Sequence, residues 1–123
     1  MCGIIAYVGS RQCTPIILSS LARLEYRGYD SAGIVVIDQR SLQFFVLKKV
    51  GGSSSLRQSL EGMTINGLIG MGHTRWATHG VVDETNTHPH FNCKRDVAVV
   101  HNGIICGYAE LLRHLISQGH DFY

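Results

Sequence analysis

Two extended apolar runs, Gly33 to Asp38 and Leu42 to Val50, are separated by a short polar turn. A connection that short returns the chain on itself, so the two runs are expected to pair as an antiparallel hairpin. A hairpin buries only one face of its side chains and needs further elements to cover it. The flanking sequence supplies them. Ile4 to Val8 reads as a short buried strand at the start of the chain. Thr14-Pro15 is expected to open a helix, with Thr14 as N-cap, Pro15 at the first helical position and Ile17, Leu21 and Leu24 on the inner face. Gly28 is placed to end that helix.

Beyond the hairpin, Gly51 to Ser55 reads as a loop and Leu56 to Glu61 as a short helix. Leu68 to Thr74 reads as a strand interrupted by glycines. Val81 to Arg95 is polar, contains Pro89 and reads as an ordered loop. Asp96 to His101 is expected to be a compact buried strand. Tyr108, Leu111, Leu112, Leu115 and Ile116 recur at helical spacing, closed by Gly119. The series ends at Tyr123, before a further layer has covered the second sheet face, and so reads as a piece of a longer protein.

The chain has 123 residues, 45% hydrophobic and 16% charged, which fits one ordinary globular unit with a core of its own. A net charge of +2 gives no argument for nucleic acid or a membrane surface as a partner. No window reaches the roughly 18 apolar residues of a membrane span, and no secretory signal is visible, so the expected location is cytoplasmic. Cys2, Cys13, Cys93 and Cys106 form no CxxC pair and are expected to be free thiols. All but Cys2 are expected to be buried or half-buried small side chains. The same spacing argues against a zinc site, although seven histidines are present.

Cys2 stands apart by position. Methionine before a small residue is normally excised, which would leave a thiol and a free α-amine on one residue. An α-amine has a pKa of about 7.7–8.0 and can take up the thiol proton and return it to a leaving amine. Cysteine at position 2, taken alone, is better read as chance. Other stretches are richer in chemistry than connectors require. Leu24 to Gly33 joins a helix end to a strand with charge, aromatics and glycine mixed. Gly72-His73-Thr74-Arg75-Trp76-Ala77-Thr78-His79-Gly80 sits at a strand end, where binding residues are common. Asn86-Thr87-His88-Pro89-His90 and Val100-His101-Asn102-Gly103 follow.

Together with Met1-Cys2-Gly3-Ile4-Ile5, these stretches resemble, in order, the class II glutamine amidotransferases, a branch of the N-terminal-nucleophile (Ntn) hydrolases. The resemblance covers essentially the whole chain. It implies an α+β fold, the four-layer α/β/β/α Ntn-hydrolase sandwich, incomplete here. Residues 1–123 are then the front part of a glutaminase domain, with the rest of that domain and a sugar-phosphate isomerase half absent.

The resemblance also implies roles. Cys2 is the nucleophile that forms a γ-glutamyl thioester, and Asn102 and Gly103 are the oxyanion-hole pair. Arg75 clamps the glutamine α-carboxylate, as a guanidinium fork suits it to do. Trp76 gates the ammonia passage, His79 and His88 line the glutamine site, and Arg27 and Asp30 hold its shape. Read alone, Arg75 fits a surface ion pair better and each histidine a structural hydrogen-bonding role better, while for Trp76 core packing fits equally well. The substrates implied are glutamine and, through the absent domain, fructose 6-phosphate. No cofactor and no metal are called for, and the full-length protein is expected to be a homo-oligomer. Two departures are small: Thr87 replaces the family's usual alanine, and Cys106-Gly107 replace its usual Glu-Asn. A Thr-Asp-Thr-Glu segment whose aspartate binds the glutamine amine would lie beyond Tyr123.

Overall fold

The computed structural model describes residues 1–122. A four-stranded antiparallel sheet is its centre, built from β1 (Gly3–Val8), β2 (Ser31–Ile37), β3 (Phe44–Val50) and β4 (Ile69–Arg75), in the order β1-β4-β2-β3. The expected hairpin is β2–β3, paired from Ser31↔Val50 to Ile37↔Phe44. Helices α1 (Cys13–Leu24) and α2 (Ser53–Ser59) lie against one face of this sheet. A ribbon of β5 (His90–Phe91) and β6 (Ala98–Val99) and a third helix, α3 (Tyr108–Ser117), follow. The architecture is α+β, as expected from the sequence.

The core sits between α1, α2 and the sheet. Ile17, Leu21, Ile34, Val36 and Leu56 are each 0% exposed. Burying one such side chain contributes about 1.5–3 kcal/mol, so this layer dominates what stabilises the unit. Side chains alternate across a strand. Gly70 and Gly72 of β4 face α1, and a Cβ on Gly72 would sit 2.8 Å from Cγ2 of Ile17. The helix therefore rests directly on the β4 backbone. The alternation sends Met71, His73 and Arg75 to the opposite face.

Several boundaries differ from the sequence reading, each for a tertiary reason. α1 starts at Cys13 rather than at a Thr14 cap, and its N-cap Gln12 makes no side-chain capping bond. Cys13 N–H instead donates to the Gly67 carbonyl at 2.8 Å, and Gln12 Oε1 accepts from Gly67 N–H at 2.8 Å. α2 begins at Ser53, three positions early, because Glu25 Oε1 accepts from both the backbone N–H and the hydroxyl of Ser53. β3 begins at Phe44 because Asp38 Oδ1 gathers the Arg40 and Ser41 N–H groups into a turn. The expected buried strand over Asp96–His101 is only Ala98–Val99, with Val97 58% and Val99 50% exposed. Likewise no residue of α3 is buried. Cys13 is buried, but Cys93 and Cys106 are exposed, against expectation.

Candidate active site

The N-terminal residues reach the site through sheet pairing. Gly3 is opposite Thr74 in the β1–β4 register, and Gly3 N–H donates to Thr74 Oγ1 at 3.1 Å. This fixes half-buried Cys2 beside the point where β4 ends and Trp76 leaves the sheet. The Trp76 backbone N–H donates to Cys2 Sγ at 3.3 Å. Trp76 itself is partly exposed and meets the Tyr29 ring edge-on at 5.7 Å.

Asn102 arrives from the far end of the described chain. Its Nδ2 donates to the Cys2 carbonyl at 3.1 Å, and its Oδ1 lies 2.8 Å from Nε2 of His73. Gly103 follows at φ 139, in the region that favours glycine.

The segment after β4 is held from two sides. Arg75 is 8% exposed, and its guanidinium donates to the carbonyls of Val81 (3.0 Å) and His79. It carries more donors than these bonds use. Asn86 Nδ2 also donates to the Val81 carbonyl, at 3.2 Å. From behind, Asp30 Oδ2 accepts from Ala77 N–H at 2.7 Å, and Asp30 N–H donates to the Arg75 carbonyl at 3.1 Å.

His88, in a cis peptide with Pro89, lies on the sheet face over Gly33. A Cβ on Gly33 would be 1.9 Å from the His88 carbonyl oxygen, so only glycine admits this approach. The His88 ring packs against His73 (4.3 Å between centroids) and His90 (4.4 Å). Burial, then the neighbouring His73 and His90, lower the His88 pKa to about 3. Burial likewise lowers those of His73 and His90. The three rings are a neutral stack near pH 7.

A cleft of about 710 Å³ collects Cys2, Arg75, Trp76, His79, His88, Asn102 and Gly103. Arg27 and Asp30 lie outside it. Asp30 supports the loop, while Arg27 reaches Met1 Sδ at 3.9 Å and keeps a buried Nε without a partner. The sequence reading missed His73, which also lines the cleft. The available signal was strand alternation: His73 and Arg75 are two apart on β4 and share a face. Among the described residues, no cluster of three or more His, Cys, Asp or Glu is placed to hold a metal. No described helix is long and apolar enough to cross a membrane.

No family model matches the chain. It is 49% identical over 122 residues to glutamine–fructose-6-phosphate aminotransferase [isomerizing] of Caldanaerobacter subterraneus subsp. tengcongensis. It is 52% identical to the protein of the same name from Chlamydia abortus and 48% identical to that from Pyrococcus horikoshii. Each match covers 99% of this chain but 20% of the relative, so the chain spans about a fifth of these proteins' length. Among solved structures, it is similar to the glutamine phosphoribosylpyrophosphate amidotransferase from B. subtilis complexed with ADP and GMP (TM-score 0.80, 26% identity). It is also similar to an allosteric regulatory enzyme of purine biosynthesis (TM-score 0.82, 28% identity). Both likenesses cover 100% of this chain and 26% of the other. The fold is therefore that of the Ntn-type glutamine amidotransferases.

Proposed function

We propose that this chain, similar along nearly its whole length to part of the glutamine–fructose-6-phosphate aminotransferases, is the front of such an enzyme's glutaminase domain, residues 1–123. Its work is to release ammonia from glutamine, for transfer to fructose 6-phosphate by domains outside this chain. The observation that carries the reading is that sulfur, amide donor and guanidinium, remote in sequence, line one cleft.

With Met1 removed, the Cys2 α-amine accepts the thiol proton, and the sulfur attacks the side-chain amide carbon of glutamine. Negative charge moves to the amide oxygen, where the Asn102 Nδ2–H and the Gly103 N–H receive it. Collapse of that adduct breaks the C–N bond. The α-ammonium returns the proton to the leaving nitrogen, so ammonia departs and a γ-glutamyl thioester remains. Water, deprotonated by the same amine, then attacks the thioester and releases glutamate and the thiol. Arg75 orients the substrate through its α-carboxylate, and His79 and His88 line the space it fills. Trp76, half-exposed at the rim, covers the ammonia exit.

Mass spectrometry of the full-length enzyme after treatment with a glutamine-like electrophile tests this. The expected result is a chain lacking Met1, with one adduct on Cys2. Full glutaminase turnover by a Cys2→Ser variant, or by a chain that keeps Met1, would overturn it.

A second reading concerns the 123-residue piece alone. An apolar groove lined by Ala6, Val35, Ile37, Phe44 and Met71 is open on the sheet face opposite α1. That exposure favours a piece that self-associates and is silent toward glutamine. A monodisperse, active 123-residue polypeptide would rule this out.

A further inference from the structure

The proposed chemistry leaves His73 without a task, yet its surroundings specify one. The side chain is 0% exposed, on the inner strand β4, in contact with the cleft. The Cys2 carbonyl can only accept a hydrogen bond, so the Asn102 atom facing it across 3.1 Å is the nitrogen. The amide oxygen then faces His73 Nε2 at 2.8 Å and can only accept, so that ring nitrogen carries the proton. His73 Nδ1 is left buried with no partner. The ring cannot easily turn over to present that nitrogen instead. His88 packs on it at 4.3 Å, and the backbone of His88 rests on Gly33, opposite His73 in the β2–β4 register.

We propose that His73 is a positioning residue for glutamine hydrolysis: its Nε2–H fixes the amide of Asn102 with Nδ2 toward Cys2 and the cleft. This rests on reading Asn102 as an oxyanion donor. Asn102 is exposed and sits on an irregular segment, where the Cys2 carbonyl, accepting from Nδ2 at 3.1 Å, is the one other contact that opposes a flipped amide presenting its oxygen to the developing charge. An oxygen there repels the oxyanion that a nitrogen would stabilise. The buried histidine adds a second, rigid lock against that flip, because its N–H would then meet an N–H.

The test compares His73→Gln with His73→Met in the full-length enzyme. The two replacements are similar in length, and only glutamine keeps a donor. Methionine is expected to lower kcat for glutamine hydrolysis by about tenfold to hundredfold, less than outright loss of an oxyanion donor. KM should move by less than about threefold, since Asn102 acts on the adduct rather than on bound glutamine. Glutamine at 73 should restore most of kcat. In an Asn102→Ala background, His73→Met should cost little more. Alkylation of Cys2 by iodoacetamide, which forms no oxyanion, should keep its normal rate in every variant. Equal kcat losses for glutamine and methionine, full additivity with Asn102→Ala, or slowed alkylation would each overturn the proposal. Unchanged kcat in Asn102→Ala alone would instead bring down the reading of Asn102, and this proposal with it.

Discussion

The backbone N–H of Trp76 points at the sulfur of Cys2 across 3.3 Å, although 74 positions separate them. The contact exists because β1 pairs with β4 in a register that sets Gly3 opposite Thr74. That donor fixes where the sulfur sits. Cys2 Sγ is thereby tied to the same strand end that carries Arg75. Sheet register, more than any loop, determines the spacing between Cys2 Sγ and the Arg75 guanidinium.

Asn102→Ala removes both the proposed oxyanion donor and the bond to the Cys2 carbonyl. In the full-length enzyme, kcat for glutamine hydrolysis is expected to fall by about 10²–10³ with KM nearly unchanged. Steady-state glutamate release measures both parameters. A rise in KM with kcat intact would assign Asn102 to substrate binding instead.

Arg75→Ala is expected to raise KM for glutamine much more than it lowers kcat. It should also free the segment around His79 and Val81, whose carbonyls the guanidinium holds. Each hydrogen bond to a charged group contributes about 1.5–3 kcal/mol, so faster proteolytic cutting near Val81 should accompany the kinetic change. Lysine at 75 should rescue poorly, because it cannot reach both carbonyls in a planar fork.

Gly33→Ala places a methyl group where the His88 carbonyl lies, 1.9 Å from the ideal Cβ. The His88-Pro89 segment has to lift from the sheet. Stability is expected to drop by about 1–3 kcal/mol, as in other overpacked sites. Denaturant unfolding measures the loss, and glutamine KM should rise with it as His88 is displaced. An alanine variant with normal stability would show that the segment is not held against β2.

Acid should weaken the fold through the histidine stack. The His88 pKa falls from an ordinary 6.5 to about 3 on folding, with burial the largest cause, and His73 and His90 shift the same way. Between those values the unfolded chain binds protons that the folded one refuses. The stack's contribution is therefore present above about pH 6.5 and declines as pH falls toward 3. Denaturant midpoints taken from about pH 7.5 down to about pH 5 should fall, and His88→Gln should flatten that slope. An equally steep slope in the variant would place the acid sensitivity elsewhere.

The order of strands and helices followed from local pattern: apolar runs of strand length, a turn too short for a crossover, and helical spacing in Ile17 and Leu21. The motif order pointed to Cys2, Arg75, His88 and Asn102, because residue types and their neighbours are written along the chain. Other features were not legible there. The start of α1 depends on the Gly67 carbonyl and that of α2 on the Glu25 carboxylate, each supplied by a remote segment. The regular spacing in α3 gave no hint that none of its residues would be buried. His73 looked like any strand residue until β4 set it beside Asn102, 29 positions away. Local pattern records which backbone conformation a stretch prefers, whereas hydrogen-bond partners and burial belong to pairs of segments. The β1-β4-β2 register sets Cys2 beside Trp76 and His73 beside Gly33, and the segments packed around that sheet supply the remaining partners.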